Sequence, residues 1–155
     1  MHFWKQYRPY IVQVLLALAV GGASALLSGG MDGYETLVKP PLSPPGWLFP
    51  VAWTVLYILM GIAAGLVQTS GDGARTAALT VYYVQLFINF LWSPIFFGLG
   101  WIGFAAVWLA LLVVAVYATK RRFCAISSVA GWLLFPYLLW CLFALYLNLG
   151  FVILN

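Results

Sequence analysis

Long apolar runs, broken only by short clusters of Gly, Pro and charge, constrain this chain more than any other feature. Leu109 to Val116 is apolar on every side, and stretches of similar character recur five times. A bilayer core is crossed by roughly 20 predominantly apolar residues in a helix. A spanning strand would instead alternate apolar and polar residues, so helices are the reading. The spans predicted are Tyr10 to Leu27, Trp47 to Val67, Ala77 to Phe97, Trp101 to Thr119 and Ser127 to Leu154. The chain is therefore expected to be an all-α integral membrane protein, one bundle of five transmembrane helices forming a single domain over residues 1–155.

Composition agrees. Charged residues make up 6% of the chain and hydrophobic ones 65%, whereas a soluble domain carries about a quarter charged residues. The outer surface must face lipid. The net charge of +4 arises from scarcity of acids and not from a basic face, so nucleic acid is not an expected partner. Lys5 and Arg8 precede an apolar stretch ending near Ala23-Ser24-Ala25, as in a secretory signal. Signal cores run about 7 to 15 residues; this one is longer and is read as a retained span. Lys5, Arg8, Arg75, Lys120, Arg121 and Arg122 fall on one side of the bundle and Lys39 alone on the other, which predicts a cytoplasmic N-terminus. Trp4, Tyr10, Trp47 and Trp101 lie near span ends, where amphipathic rings favour the headgroup layer. Cys124 and Cys141 stand 17 residues apart on what reads as one helix, too far for a disulfide. With a single His in the chain, no metal site and no required cofactor are expected.

The informative residues are few. The segment Ser28 to Pro45 is 18 residues long and holds Asp32, Glu35 and four prolines. Loops beyond about 12 to 15 residues are usually functional or disordered, and repeated Pro stiffens this one, so it is expected to act as a lid at residues 28–45. Inside the spans, Asn89 has Gln85 one turn earlier and Trp92, Ser93 and Phe96 one or two turns later. Trp140, Ala144 and Asn148 follow at i, i+4 and i+8, and Trp53 and Tyr57 at i and i+4. Polar atoms in hydrocarbon need partners, so these faces should point inward. Two readings stay open on this ground: interhelical hydrogen bonding that holds the bundle together, or a large flat cavity lined by Trp. Pro50, Pro94 and Pro136 should each cost a bond to the carbonyl four residues earlier, at Gly46, Phe90 and Trp132. Gly61 with Gly65, and Ala17 with Gly21, permit close helix approach within the chain or between two copies.

Three blocks carry a resemblance. Lys39-Pro40 and then Pro44-Pro45-Gly46-Trp47-Leu48-Phe49-Pro50-Val51-Ala52-Trp53-Thr54-Val55-Leu56-Tyr57 form the first. Gln85-Leu86-Phe87-Ile88-Asn89 with Trp92-Ser93 forms the second. Pro136-Tyr137-Leu138-Leu139-Trp140 with Phe143-Ala144 and Leu147-Asn148 forms the third. In order and spacing they resemble the TspO family, the tryptophan-rich sensory proteins and translocator proteins, also known as peripheral benzodiazepine receptors. The resemblance covers essentially the whole chain. It implies a five-helix bundle, often a homodimer, with a ligand cavity opening under the loop between the first two spans. It implies a receptor or sensor for hydrophobic small molecules: tetrapyrroles such as porphyrin or haem, sterols, and benzodiazepine-type compounds. By motif position the lining residues would be Trp53, Asn89, Trp140 and Ala144, with Tyr34 in the lid. Tyr57, Trp92, Phe96 and Asn148, on the same faces, complete the candidate ligand-binding set. The alternatives are light- and oxygen-dependent degradation of porphyrin, or facilitated transport of a hydrophobic ligand. No acid-base pair or activated nucleophile lies in the spans, so hydrolytic or transfer catalysis is not expected. The chain ends Phe151-Val152-Ile153-Leu154-Asn155 without the basic residue of the family's sterol motif, and its fourth span lacks the acid that many relatives carry there.

Overall fold

The computed structural model describes residues 2–30 and 32–155, except for the side chain of Asp32. In chain order its helices are α1 (His2–Ser28), α2 (Asp32–Thr36), α3 (Leu48–Gln68), α4 (Arg75–Ser93) continued by a π turn (Pro94–Gly98), α5 (Ile102–Ile126), α6 (Ser128–Leu133) and α7 (Phe135–Leu154). Five segments are long and apolar enough to cross a membrane: α1, α3, α4 with its π turn, α5, and α6 with α7. They form the five-helix bundle that the apolar runs predict.

The first and fourth helices outrun their predicted spans, and the reason is physical. Apolar runs mark hydrocarbon, whereas helix continues wherever the residues tolerate it, and Lys and Arg are good helix formers. Hence α1 begins at His2 and carries Lys5 and Arg8, and α5 extends through Lys120, Arg121 and Arg122 to Ile126. This also corrects the cysteine reading. Cys124 belongs to α5 and Cys141 to α7, on different helices, and both are free.

The prolines act differently from one another. Pro50 lies in the first turn of α3, where no intrahelical bond exists to be lost, and the Gly46 carbonyl accepts the Phe49 N–H instead. Pro136 sits in the first turn of α7, and the last span breaks at Leu134 before it. Of these three, Pro94 alone stands inside a spanning segment beyond the first turn of a helix, as Pro9 also does in α1. Beyond Pro94 the backbone widens to a π turn in which the Leu99 N–H reaches the Pro94 carbonyl at 2.9 Å.

In lipid there is no hydrophobic difference to drive helices together, so small residues decide where backbones approach. α1 packs along α3, with Gly61 against the backbone of Val14 and Gly65 against the Tyr10 ring. Gly21 of α1 in turn faces the Tyr57 ring of α3. Thus Gly61, Gly65, Ala17 and Gly21 are used inside the chain. α4 packs against α1 and α5, and α7 against α5. Large apolar side chains such as Phe87, Val107 and Val114 are exposed and cover the lipid side.

The segment between α1 and α3 is folded down onto α7. It contains the short helix α2, which the lid reading did not foresee. Tyr146 donates to the Pro41 carbonyl at 2.7 Å, and the Asn155 amide pairs with both the N–H and the C=O of Val38 at 3.0 Å. Pro40 seats against Gly150, where any Cβ would collide with its ring.

Candidate functional site

α3 starts as the stiff Pro-rich segment ends, and from its first turn it presents Phe49, Trp53 and Tyr57 at i, i+4 and i+8, on one face. These rings form one wall of a cavity of about 330 Å³. Trp53 stacks on Tyr57 with centroids 5.7 Å apart and planes 27° apart. α4 and its π turn add Asn89, Trp92, Ser93 and Phe97, and α1 closes the third side with Leu18, Gly21, Ser24, Ala25 and Ser28. Among the described residues, no charged side chain lines the space.

A chain of hydrogen bonds fixes the floor. The Tyr57 hydroxyl donates to Asn89 Oδ1 at 2.6 Å, Asn89 Nδ2 donates to the Tyr137 hydroxyl at 2.6 Å, and that hydroxyl donates to Gln85 Oε1 at 2.8 Å. Three helices are thereby joined through one amide. Trp92 is held in the same way: its indole N–H reaches Asn148 Oδ1 at 3.1 Å, and Asn148 Nδ2 donates to the Ile102 carbonyl at 2.9 Å.

Behind the partition made by Phe49, Trp92 and Phe97 lies a second chamber of about 10 Å³, bounded also by Tyr34, Phe96, Ala144, Asn148 and Phe151. It has room for one water molecule at most, and the buried Tyr34 ring forms its side toward the loop. The Tyr34 ring lies edge-on to Phe49 at 5.1 Å and to Phe151 at 5.6 Å, and its hydroxyl donates to the Pro44 carbonyl at 2.6 Å. The space directly under the loop is therefore plugged. The exposed members of the cavity wall are Gly22, Ala25, Gly30, Pro50 and Thr54, which put the open side between α1 and α3, beside the start of the loop. Gly30 is the loop's contribution to this wall, while Tyr34 occupies the neighbouring space against α7.

Burial, with Glu35 adding to it, pushes the Tyr34 phenol above its ordinary value, against a smaller opposing effect of the hydrogen bond with Ser43. A phenol whose value is raised on closing holds the loop fully below the ordinary range near about pH 10 and releases it only as pH rises through the raised value. Tyr34→Phe keeps the ring and removes the bond to Pro44. Amide exchange over residues 33–44 should then accelerate about fivefold, the equivalent of one ordinary hydrogen bond, with no pH step below about pH 10 in the parent protein. Unchanged exchange would show that the ring alone holds the loop.

Of the residues singled out by sequence, Trp53, Tyr57, Asn89 and Trp92 line the larger cavity, and Tyr34, Trp92, Phe96, Ala144 and Asn148 the closed chamber. Trp140 borders neither. It packs edge-on against Trp53 at 6.3 Å and Phe49 at 5.9 Å, and its indole N–H is buried without a partner among the described residues. What sequence reasoning missed is the partition, Phe49 and Phe97, and the whole contribution of α1. Ala17, Gly21, Ser24 and Ser28 recur at i, i+4, i+7 and i+11 on one α1 face, so the small-residue pair read at Ala17 and Gly21 was the start of a longer stripe. Among the described residues, no three His, Cys, Asp or Glu side chains group as metal ligands.

Residues 13–154 match the model of the TspO/MBR family. Curated relatives span nearly the same length. The tryptophan-rich protein TspO of Chlorobaculum tepidum is 37% identical over 155 residues, 97% of this chain and 98% of the relative. The tryptophan-rich sensory protein of Cereibacter sphaeroides is 39% identical over 145 residues, 91% and 90%. The translocator protein of Homo sapiens is 38% identical over 122 residues, 77% and 72%.

Proposed function

The chain belongs to the TspO/MBR family, and on that premise we propose that it is a membrane receptor or sensor that takes flat hydrophobic ligands into the cavity between α1, α3 and α4. Tetrapyrroles are the first class, with sterols and benzodiazepine-type compounds beside them. The relatives' names, sensory protein and translocator protein, support a receptor or sensor role. The observation that carries the ligand class is the shape of the wall. Trp53, stacked on Tyr57, turns an aromatic face to the cavity, and beyond the point where Gly21 touches the Tyr57 ring α1 lines the space with the small residues Ser24 and Ala25, which leave room for a planar body. Ligand sites typically enclose about 300 to 1,000 Å³ with few polar groups; at about 330 Å³ the cavity is at the small end. A macrocycle fills it and leaves its edge in the opening between α1 and α3, or gains space when Tyr34 withdraws from the adjoining chamber.

Titration of the protein in lipid vesicles with protoporphyrin, followed by intrinsic Trp fluorescence, tests this. Saturable quenching is expected. Trp53→Ala should weaken binding at least about fivefold, the lower end of the range seen when a heteroaromatic ring loses a stacked aromatic partner. Trp101→Ala, at an exposed span end, should leave it unchanged. Quenching that never saturates, or equal losses in the two variants, overturns the proposal.

A further inference from the structure

The cavity's hydroxyl groups have a polarity of their own, and it follows from Pro94. Pro94 has no N–H to return to the Phe90 carbonyl four residues earlier. The Ser24 hydroxyl on α1 supplies the missing donor, at 2.8 Å. One turn on, Ser28 Oγ donates to the Ser24 carbonyl at 2.7 Å and also lies 2.7 Å from Ser93 Oγ. A hydroxyl has one proton; since Ser28 gives its own to the carbonyl, Ser93 must donate to Ser28. Every hydroxyl hydrogen of the three serines is thus committed within the protein. Ser24 and Ser28 are nearly fully buried, and all three residues line the cavity.

The same count on the remaining polar side chains of the wall gives a consistent result. Thr54 donates to the Pro50 carbonyl at 2.7 Å, Tyr57 to Asn89 and Trp92 to Asn148. Among the described residues, the uncommitted side-chain donors of the wall are the Trp53 indole N–H on α3 and the second amide hydrogen of Asn89, one turn before Ser93 on α4. The serine hydroxyls themselves offer only oxygen lone pairs.

We infer that Ser24 and Ser93 form a hydrogen-bond-accepting subsite that selects neutral ligands carrying an N–H or O–H donor on the edge facing α1. A carboxylate only accepts, so it gains no hydrogen bond from these serine oxygens. A ligand bearing carboxylates places them in the opening between α1 and α3. The inference rests on the reading of this cavity as the ligand site, and adds the chemistry by which it discriminates.

Carbazole and N-methylcarbazole test it. Both are planar and aromatic, and only carbazole has an N–H donor. Binding to the full-length protein in vesicles is followed by quenching of Trp fluorescence, corrected for each compound's partition into protein-free vesicles. Carbazole should bind about fivefold more tightly, the effect of one neutral hydrogen bond. Ser93→Ala should reduce the preference, Ser24→Ala with Ser93→Ala should erase it, and Ser24→Thr, which keeps the hydroxyl, should retain it. If the double variant does not fold for want of a donor to Phe90, Ser93→Ala and Ser24→Thr still give the reading. Trp53→Ala should weaken both compounds equally. Equal affinity of the two compounds, or a preference untouched by the loss of the serine hydroxyls, overturns the inference. So does saturable binding of neither; protoporphyrin quenching that persists in that case leaves the proposed function standing while this subsite falls.

Discussion

Gly61→Leu is expected to prevent the bundle from assembling. A Cβ at this position meets the Val14 backbone of α1, at 2.6 Å from its amide nitrogen and closer still to its Cα. A flexible side-chain end could move aside, but a helix backbone cannot do so without shifting all of α1. Ordinary overpacking costs about 1–3 kcal/mol, and the loss here should exceed that because the α1–α3 seam also carries Gly65 on Tyr10 and Gly21 on Tyr57. Gly103→Leu is the control: it lies on α5 with open space around its Cβ position, and should behave as the parent protein. Size-exclusion chromatography in detergent and thermal unfolding by circular dichroism read the difference. The prediction also decides between two uses of the glycine pair. Were it a surface for a second copy, Gly61→Leu would yield a folded monomer, and that result would sink the internal assignment.

The second large effect concerns Asn89. Replacing it by Leu leaves the Tyr57 hydroxyl without its acceptor and takes the Nδ2 donor from Tyr137, in a part of the bundle where Tyr57, Asn89 and Tyr137 are all buried. An orphaned buried polar group costs about 1–3 kcal/mol, a fall in the unfolding midpoint on the order of 5 °C. The diagnostic is the double variant. Removing both partners of a buried hydrogen bond is nearly neutral, so adding Tyr57→Phe to Asn89→Leu should recover much of the loss, even though Tyr57→Phe alone is destabilising. Losses that simply add would show that the phenol and amide are not coupled. Because Asn89 also lines the cavity, protoporphyrin titration of the same variants separates its binding role from its structural one.

How far the sequence could be read depends on the kind of residue. Asn89, Trp92 and Asn148 were legible as inward-facing, because a polar atom in hydrocarbon has so few alternatives. Their partners were not. Nothing local says that Asn89 bridges two phenols or that Trp92 ends on Asn148; those pairings arise from how α3, α4, α5 and α7 are set side by side. Pro94 was legible as a lost bond at Phe90, yet the donor that answers it, Ser24, lies on another helix 66 residues away. Phe49 and Phe97 were hidden by composition itself. In a chain with eleven Phe, one more ring near a span end carries no signal, although these two divide the cavity from the closed chamber.

The apolar runs alone determined that the chain is helical, crosses a membrane five times and carries most of its basic charge at one end, because hydrocarbon leaves the backbone no other way to satisfy its hydrogen bonds. The family motifs named the Trp and Asn residues of the candidate site. Only the tertiary structure decided that α1 forms a wall of that site, that Tyr34 occupies the space beneath the loop, and that the open side lies between α1 and α3. The reason is that lipid and bundle interior are equally apolar. Hydropathy can show that a segment lies in the membrane, but it cannot show which face of the segment meets its neighbours. That choice is made by fit between small residues and rings, as where Gly61 admits Val14 and Gly21 admits Tyr57.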